Sequence, residues 1–364
     1  MKVLQVINSL NFGGAEKLLV DAIPYYLKKG IDVDVLLLND SHSDFYNKVS
    51  AYKNVKILSV DNKNKIYNPL QLFSIKKHLK EYDLIHVHLF PALYWVSLAN
   101  RLLSKPRHIL FTEHNSENKR RKKKVLKCVD RLIYKNYDLI ATISEGVQNN
   151  LQDHLGPSFQ NIIKIYNGIN LGLIEDAKPY SHKELNIPET AYPLIQISSF
   201  TPQKDQATAI RALLKLPENV HLILVGDGPT LPQHKNLVKS LELQERVHFL
   251  GLRNDVPRLV KTAKISLLSS IFEGFGLAIL EGMAAKNACI GSNVPGLSEI
   301  LKDHGLLFSV GNIDELANLI RKLISDQAYY DCIAEACYMR SKDFSINKMV
   351  SEYKKIYLEM VEGN

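Results

Sequence analysis

Two glutamates that flank a glycine-containing turn are the most distinctive chemical pattern in the second half of the sequence. The segment reads Glu273-Gly274-Phe275-Gly276-Leu277 and continues through apolar residues to Glu281. An apolar run, Ile265–Leu268, precedes it, so we expect a strand, a loop and a helix that begins near Gly276. Helix N-termini bind anions and carboxylates accept hydrogen bonds from hydroxyl groups. The pattern predicts an anion site between two carboxylates; one capping and one surface glutamate is the alternative.

A lysine follows another expected strand of the same half. Lys204 comes after the run Leu194–Ser198 and a short turn. A lysine at a strand end is a point charge suited to phosphate, and the hydroxyls of Ser198, Ser199 and Thr201 can add hydrogen-bond donors. Further along, Gly226 follows the strand Val220–Val225, where a turn can flank a base or ribose or be an ordinary Asp-Gly turn.

Near the N-terminus, Gly13 and Gly14 separate a short apolar run from the helical pattern Ala15–Lys28. Glycines at this place let the backbone approach a phosphate at the helix N-terminus. A plain turn is an equally good interpretation, and the spacing does not match the dinucleotide-binding fingerprint.

Histidines mark two neighbouring strand ends in the first half. His86 and His88 lie two residues apart in the run Leu84–His88 and therefore share one face of that strand. Glu113, His114 and Asn115 follow the next strand, which the sequence predicts over His108–Thr112. A ligand-binding role and a structural role are both compatible with this placement. The sequence offers no metal site: Asp32-Val33-Asp34 lies in a strand without a turn glycine.

The chain has 364 residues with 46% hydrophobic and 23% charged residues, which excludes a disordered or fibrous protein. Its formal net charge of +8 suits nucleotides, phosphates or anionic lipid surfaces but is too small to imply nucleic acid. We find neither a signal peptide nor a membrane span and expect a cytoplasmic protein.

Short apolar strands alternate with amphipathic helices throughout the sequence, which predicts parallel sheets covered on both faces. The polar stretch Leu171–Tyr192 interrupts this series. We therefore expect an α/β protein of two doubly wound domains, residues 1–172 and 173–344, with a C-terminal helix in 345–364 that packs back on the first domain. The predicted strands are Val3–Asn8, Val33–Leu38, Val55–Val60, Leu84–His88, His108–Thr112, Leu139–Thr142, Ile162–Ile165, Leu194–Ser198, Val220–Val225, Val247–Leu250, Ile265–Leu268, Ala288–Ile290 and Leu306–Phe308.

A basic run extends from Lys119 to Lys135, with apolar residues at helical spacing. Such an amphipathic basic helix is either a solvated surface or a contact with a membrane ligand. The ligand would be anionic lipid head groups at the inner face of the cell membrane or a lipid-linked phosphate acceptor.

Taken together, the motifs resemble glycosyltransferase family 4, whose members are retaining enzymes of the GT-B fold: two Rossmann-like domains that face a cleft. The resemblance covers nearly the whole chain and is most specific at Glu273 to Glu281. The supporting motifs are Gly13-Gly14-Ala15-Glu16, His88, Thr142-Ile143-Ser144-Glu145, Tyr166-Asn167-Gly168-Ile169-Asn170, Val225-Gly226-Asp227-Gly228 and Asn293-Val294-Pro295-Gly296 with Glu299.

The resemblance implies a role for each candidate residue. Glu281 would bind the ribose of a nucleotide-sugar donor, Glu273 would hold the transferred sugar, and His88 would line the sugar and acceptor site. The donor diphosphate would contact Lys204 and the amides of Phe275, Gly276 and Leu277, and Gly14 would approach it from the other domain. Gly13 and Gly226 would also belong to the donor site. The acceptor side would include Glu113, His114 and Asn115. The family often carries an arginine where this chain has Ser199, so Arg253 or another residue is expected to substitute.

The expected activity is metal-independent transfer, without a cofactor, of a hexose or N-acetylhexosamine from a nucleotide sugar, expected to be UDP-linked, to a surface glycan or lipid-linked acceptor. Two alternatives remain open: a sugar-nucleotide epimerase, which needs no acceptor, and a non-catalytic partner subunit that binds a nucleotide sugar.

Overall fold

The computed structural model describes residues 1–11, 13–40, 42–60, 66–115 and 124–363. The chain forms two compact units, one of Met1–Gly168 with Ile346–Asn364 and the other of Ile169–Ser345. The domain boundaries drawn from the sequence were 172/173 and 344/345.

The first unit contains a seven-stranded sheet in which every pairing is parallel. Its strands are β1 (Lys2–Ile7), β2 (Asp32–Leu37), β3 (Ile57–Ser59), β4 (Leu84–His88), β5 (His108–Glu113), β6 (Leu139–Thr142) and β7 (Ile162–Lys164). The helices between them are α1 (Gly14–Lys28), α2 (Asp44–Ser50), α3 (Gln71–Leu79), α4 (Ala92–Arg101), α5 (Lys124–Tyr134) and α6 (Glu145–Leu155). The strand order is β3-β2-β1-β4-β5-β6-β7.

Helices cover both faces of this sheet, which is why its strands are almost continuously apolar. Leu18 of α1 and Phe45 of α2 belong to one core cluster, whereas Ile75 of α3 and Leu93 of α4 belong to the cluster on the other face. The basic helix predicted from Lys119 lies partly outside the described residues, and the described helix α5 begins at Lys124.

The second unit contains a six-stranded parallel sheet. Its strands are β8 (Tyr192–Ile197), β9 (Val220–Val225), β10 (Val247–Phe249), β11 (Ile265–Leu268), β12 (Ala288–Ser292) and β13 (Leu306–Phe308). The helices are α7 (Leu171–Glu175), α8 (Gln206–Ala212), α9 (Leu231–Ser240), α10 (Val256–Thr262), α11 (Leu277–Ala284), α12 (Pro295–Leu301), α13 (Ile313–Ser325) and α14 (Gln327–Ser341). The order is β10-β9-β8-β11-β12-β13.

Both sheets reverse their strand order once, beside β1 in the first unit and beside β8 in the second. In open α/β sheets, ligands bind at the carboxyl ends of the strands at such a reversal. The loops after β1 and β4, and those after β8 and β11, are therefore the first places in each unit to look for a site.

The final helix, α15 (Ile346–Glu362), belongs to the first unit. Its buried Tyr353 and Tyr357 join the core cluster that contains Tyr26 of α1. The hydroxyl oxygens of Tyr357 and Tyr26 lie 3.3 Å apart. The last helix of the chain thus packs against its first helix.

The segment Leu171–Tyr192 is more ordered than its polar composition indicates. Helix α7 occupies its start because Asn170 caps the helix, accepting a hydrogen bond from the amide of Leu173 at 3.3 Å, and Ile174 is buried. Among the described residues, no helix is both long enough and apolar enough to cross a bilayer.

Candidate active site

Two loops at the strand-order reversal of the second sheet bring oppositely charged side chains together. Lys204 follows β8 and Glu273 follows β11, and these strands are direct neighbours. The distance from Lys204 Nζ to Glu273 Oε2 is 2.5 Å, and each side chain is 13% exposed. The Glu273 carboxylate also accepts from Ser270 Oγ at 3.2 Å and from the Gly274 amide at 3.3 Å. The structure therefore pairs the two residues that the sequence assigned to diphosphate and sugar.

Buried polar side chains hold the loop that carries Lys204. The carbonyl oxygen of Lys204 accepts from Gln196 Nε2 at 3.1 Å and from Ser269 Oγ at 3.2 Å. Gln206 Nε2 donates to Ser198 Oγ and to the carbonyl of Ser199, at 3.0 Å in both cases. Neither glutamine was predicted from the sequence. Gln196 could have been found as the single amide side chain in an otherwise apolar strand.

Helix α11 begins at Leu277, four residues after Glu273. Gly276 precedes its first residue with φ of 89°, a left-handed conformation that glycine adopts without strain. The first amides of a helix lack intrahelical partners, so this end favours an anion. Phe275 and Leu277, whose amides were predicted to bind the anion, flank Gly276. Glu281 lies further along the helix and is 5% exposed.

A second glycine keeps this loop in place from the side of α12. A Cβ atom added to Gly296 would lie 2.5 Å from the carbonyl oxygen of Glu273. Only glycine permits this close approach of two backbone segments. The loop position of Glu273 thus depends on Gly296, a residue well beyond the loop in the sequence.

Two other residues that were predicted to bind the nucleotide-sugar donor, Gly226 and Arg253, have structural roles. At Gly226, φ is 136° and an added Cβ would lie 2.1 Å from the Ser198 carbonyl oxygen, so glycine is needed there for loop packing. Arg253 Nε donates to Asp255 Oδ1 at 2.8 Å and its Nη2 donates to Asp255 Oδ2 at 2.5 Å. These hydrogen bonds lower the pKa of Asp255 to about 2 and raise the pKa of Arg253. The substitution of Arg253 for the missing arginine at the exposed Ser199 stays a prediction.

In the first unit, the histidines predicted on neighbouring strand ends do meet. His88 Nδ1 lies 3.1 Å from His114 Nε2, and the rings of His86 and His88 are 4.2 Å apart. Burial lowers the pKa of His86 and His88 well below the ordinary value and lowers the pKa of His114 to about 4. All three rings are therefore neutral at physiological pH.

The other acceptor-side candidates differ in exposure. The carboxylate of Glu113 is buried and accepts from the hydroxyl of Tyr134 at 2.7 Å and from the amide of Asn115 at 3.2 Å. Asn115 itself is exposed. Glu113 thus connects the end of β5 to helix α5.

The glycines at the start of α1 have an acidic neighbour. Gly13 is the N-terminal cap of α1, and Gly14 is the first residue of the helix. A Cβ atom added to Gly13 would lie 2.1 Å from Glu16 Oε2, so the Glu16 carboxylate lies against the place where the sequence predicted a phosphate. Burial raises the pKa of Glu16. Among the described residues, no cluster of three or more His, Cys, Asp or Glu side chains could hold a metal ion.

Comparison with known proteins agrees with this architecture. Residues 12–173 match the family described as Glycosyltransferase Family 4, and residues 177–339 match Glycosyl transferases group 1. The chain is 30% identical over 290 residues to N-acetyl-alpha-D-glucosaminyl L-malate synthase of Bacillus anthracis, covering 78% of this chain and 76% of that protein. It is 27% identical over 315 residues to the Escherichia coli UDP-Gal:alpha-D-GlcNAc-diphosphoundecaprenol alpha-1,3-galactosyltransferase, covering 80% and 79%.

The crystal structure of Anabaena HepE in complex with UDP-glucose superimposes with a TM-score of 0.85 at 24% identity, covering 98% of this chain and 100% of that one. The chain therefore belongs to glycosyltransferase family 4 and has the GT-B fold. It is a glycosyltransferase, which confirms the fold class and the enzyme class predicted from the sequence.

Proposed function

We propose that the chain transfers a hexose or N-acetylhexosamine from a UDP-sugar, with retention at the anomeric carbon, to a glycan or lipid-linked acceptor. The relatives support this choice: one is named for N-acetylglucosaminyl transfer, another for a UDP-galactose donor and a diphosphoundecaprenol acceptor, and HepE was crystallised with UDP-glucose. The observation that carries the proposal is the ion pair of Lys204 and Glu273 beside the N-terminus of α11.

The proposed donor site uses charges that suit the breaking bond. Cleavage of a glycosyl–phosphate bond places negative charge on the departing nucleoside diphosphate. Lys204 and the first amides of α11 are fixed donors for that charge, and the proposal requires neither a metal nor another cofactor. The carboxylate of Glu273 accepts hydrogen bonds from hydroxyl groups of the transferred sugar, while that of Glu281 accepts hydrogen bonds from the ribose hydroxyls.

Donor binding tests this assignment directly. UDP-, GDP- and ADP-linked sugars are screened by thermal shift, since a ligand that binds the folded state raises the melting temperature. We expect a UDP-sugar to give the largest shift, Glu281→Gln to weaken its binding, and Glu273→Ala to collapse turnover. Glu245→Gln, an exposed glutamate just before β10, is the control for loss of one negative charge. Unchanged kinetics in both site variants would overturn the assignment.

Product stereochemistry tests retention separately. The anomeric proton coupling in the NMR spectrum of the product distinguishes an α- from a β-linkage. We expect the same configuration in product and donor. The opposite configuration would reject retention and leave the donor assignment intact.

In the first unit we assign His88 and His114 to the sugar and acceptor side. They lie at the carboxyl ends of adjacent parallel strands, where open α/β sheets bind ligands. Both rings are neutral because burial lowers their pKa values. A neutral ring accepts hydrogen bonds from hydroxyl groups, as an acceptor alcohol requires.

We also propose a peripheral contact between helix α5 and anionic lipid at the cytoplasmic face of the membrane. Val129 and Leu132 are exposed although apolar, with 67% exposure at Leu132. Lys127 and Lys135 flank them on the same helix and the turn after it. An apolar strip with basic neighbours is the pattern of interfacial helices.

Vesicle sedimentation tests this contact. We expect binding to vesicles that contain phosphatidylglycerol, little binding to pure phosphatidylcholine, and a several-fold loss in Val129→Ser/Leu132→Ser. The matched control is Leu214→Ser, an exposed leucine of the second unit. Equal sedimentation of the double variant and the control would reject the proposal.

A further inference from the structure

A buried hydrogen-bond chain connects helix α15 to the histidines of the first unit. Gln5, on β1, is 0% exposed. Its Oε1 lies 2.9 Å from His88 Nε2, and its Nε2 donates to the hydroxyl of Tyr357 at 3.2 Å. One glutamine side chain thus joins the last helix to His88.

The amide oxygen of Gln5 decides which nitrogen of His88 carries the proton. An amide oxygen accepts hydrogen bonds but cannot donate them, so Nε2 of His88 must be the donor. A neutral imidazole has one N–H, and Nδ1 of His88 is then an acceptor. His114 Nε2, 3.1 Å from that atom, must therefore be protonated. In neutral His114 the remaining nitrogen, Nδ1, is an acceptor.

Tyr357 determines the orientation of the Gln5 amide. The hydroxyl oxygen of Tyr357 accepts a hydrogen bond from the Gln5 amide group. The same oxygen lies 2.6 Å from Nδ1 of His86, to which the hydroxyl donates. His86 Nε2 then donates to Thr112 Oγ1 at 2.7 Å, and Thr112 also contacts the hydroxyl of Tyr353 at 2.9 Å. With these partners in place, a flipped amide at Gln5 would set its NH2 group against His88 and its oxygen against Tyr357. The single hydroxyl proton of Tyr357 would then face two acceptors, Gln5 Oε1 and His86 Nδ1.

We propose that Gln5, oriented by Tyr357, is a positioning residue that fixes the direction of the His88–His114 hydrogen bond, so that Nδ1 of His114 accepts a hydrogen bond from the hydroxyl of the acceptor substrate. This inference rests on the proposed function, which places both histidines on the acceptor side. Burial, which lowers the pKa values of all three histidines, supports the neutral forms that the argument uses.

One substitution, Gln5→Glu, should reverse the direction of the His88–His114 hydrogen bond. In Gln5→Glu a carboxylate would face His88 and favour its protonated form. Nδ1 of charged His88 then donates to Nε2 of His114, and Nδ1 of His114 becomes a donor. Of the other groups that face this site, His86, Tyr26 and the two tyrosines of α15 carry no negative charge at neutral pH, because burial raises the pKa of these tyrosines. The carboxylate of Glu113, next to His114, partly offsets the effect of burial on the pKa of His114.

Nitrogen-15 NMR of histidine-labelled enzyme reads the tautomers without any substrate. In the wild type at pH 7.5 we expect the Nε2–H form at both His88 and His114, with signals assigned by their loss in His88→Gln and His114→Gln. In Gln5→Glu we expect charged His88 and the Nδ1–H form of His114. A wild-type His88 in the Nδ1–H form would overturn the inference.

Kinetics provide the second measurement. We expect kcat to fall about tenfold in Gln5→Glu and about threefold in Tyr357→Phe, as for a misdirected hydrogen bond, with the KM for the donor unchanged. Gln71→Glu and Tyr137→Phe are the matched controls: both residues are buried in the same unit, and Tyr137 donates to the carbonyl of Leu93. We expect kcat in these controls to stay within twofold of the wild type.

The outcomes separate the inference from the proposed function. If the tautomers change as expected but kcat for transfer does not, Gln5 has no positioning role and the inference is wrong, although the donor site can still be correct. If no nucleotide sugar is used by the wild type, the proposed function fails, and the positioning role fails with it even where NMR finds the expected tautomers. If Gln5→Glu does not fold, the inference is still tested by the histidine tautomers in the wild-type spectrum and by kcat of Tyr357→Phe.

Discussion

Lys204 and Glu273 form an ion pair in the second unit, with 2.5 Å between Nζ and Oε2, although 69 residues separate them in the chain. They meet because β11 pairs with β8, so that the loops after both strands lie side by side. Each side chain satisfies the charge of the other. Under the proposed function, a bound diphosphate would share Lys204 with Glu273 or draw it away.

A double-mutant cycle separates the contribution of this ion pair to the stability of the protein from its contribution to the reaction rate. Lys204→Met leaves a largely buried carboxylate without its cation and should cost on the order of 1–3 kcal/mol in the free energy of unfolding. It should also lower kcat roughly 100- to 1,000-fold, as for the loss of one charge-stabilising donor. Lys204→Met/Glu273→Gln should regain most of the stability and none of the activity. Urea unfolding and steady-state kinetics measure the two quantities.

The expectation fails if the double variant is no more stable than Lys204→Met, because the carboxylate would then not depend on the lysine. It also fails if kcat of Lys204→Met stays within fivefold of the wild type.

Ser199 offers a gain-of-function prediction. Its side chain is exposed, so an arginine can be accommodated there. Ser199→Arg would add the cation that the family often has beside the phosphate lysine, and we expect UDP to bind about tenfold more tightly, with the gain reduced at high salt. Ser240→Arg, at the end of α9, adds the same charge elsewhere in the unit. Calorimetry with UDP measures the difference; equal affinities in the two variants would contradict the placement of the diphosphate at Ser199.

Gly296 provides a steric test of the loop that carries Glu273. In Gly296→Ala the new Cβ would lie 2.5 Å from the Glu273 carbonyl oxygen, so one backbone segment must move. We expect a loss on the order of 1–3 kcal/mol in the free energy of unfolding and a lower kcat, since Glu273 moves with its loop. Gly172→Ala in α7 is the control, because its nearest atom is 3.7 Å away. A Gly296→Ala enzyme as active as the control would show that the position of Glu273 does not depend on this approach.

Most of the fold could be predicted from the sequence because buried parallel strands are continuous apolar runs. The predicted bounds of β4, β6, β9, β11 and β13 agree with the structure. Helix α7 was missed because it is short and its cap, Asn170, stands in a polar stretch. Periodicity reports one element at a time, so a five-residue helix leaves almost no signal.

The candidate site was harder to predict than the strands. Glycine and glutamate motifs mark the loops, but the contact between Lys204 and Glu273 depends on strand order, which local sequence does not specify. Gln5 and Gln196 were missed because one amide in an apolar strand resembles an interruption of the pattern. Their hydrogen bonds reach residues far away in the sequence, such as Tyr357 for Gln5.

Buried histidines predict how the stability of the protein depends on pH. Burial lowers the pKa of His86, His88, His114, His221 and His248. In the unfolded chain these rings bind protons near the ordinary pKa of about 6.5, so below that pH the unfolded state binds more protons than the folded state. The stability that neutral rings contribute is therefore complete above about pH 7 and is lost as the pH falls toward 4, where His114 and His248 titrate in the folded state.

Urea unfolding at pH 8, 7, 6 and 5 measures this dependence. Each neutral buried histidine should contribute a slope of at most about 1.4 kcal/mol per pH unit below its unfolded pKa. In His114→Gln, the free energy of unfolding should depend less steeply on pH, by the contribution of one histidine, because glutamine takes up no proton in the folded or the unfolded state. The ion pair of Asp255 and Arg253 does not interfere, since the pKa of Asp255 is about 2 and its contribution changes only at lower pH. A free energy of unfolding that stays level or rises between pH 7 and pH 5 would contradict the neutral, buried state of these rings.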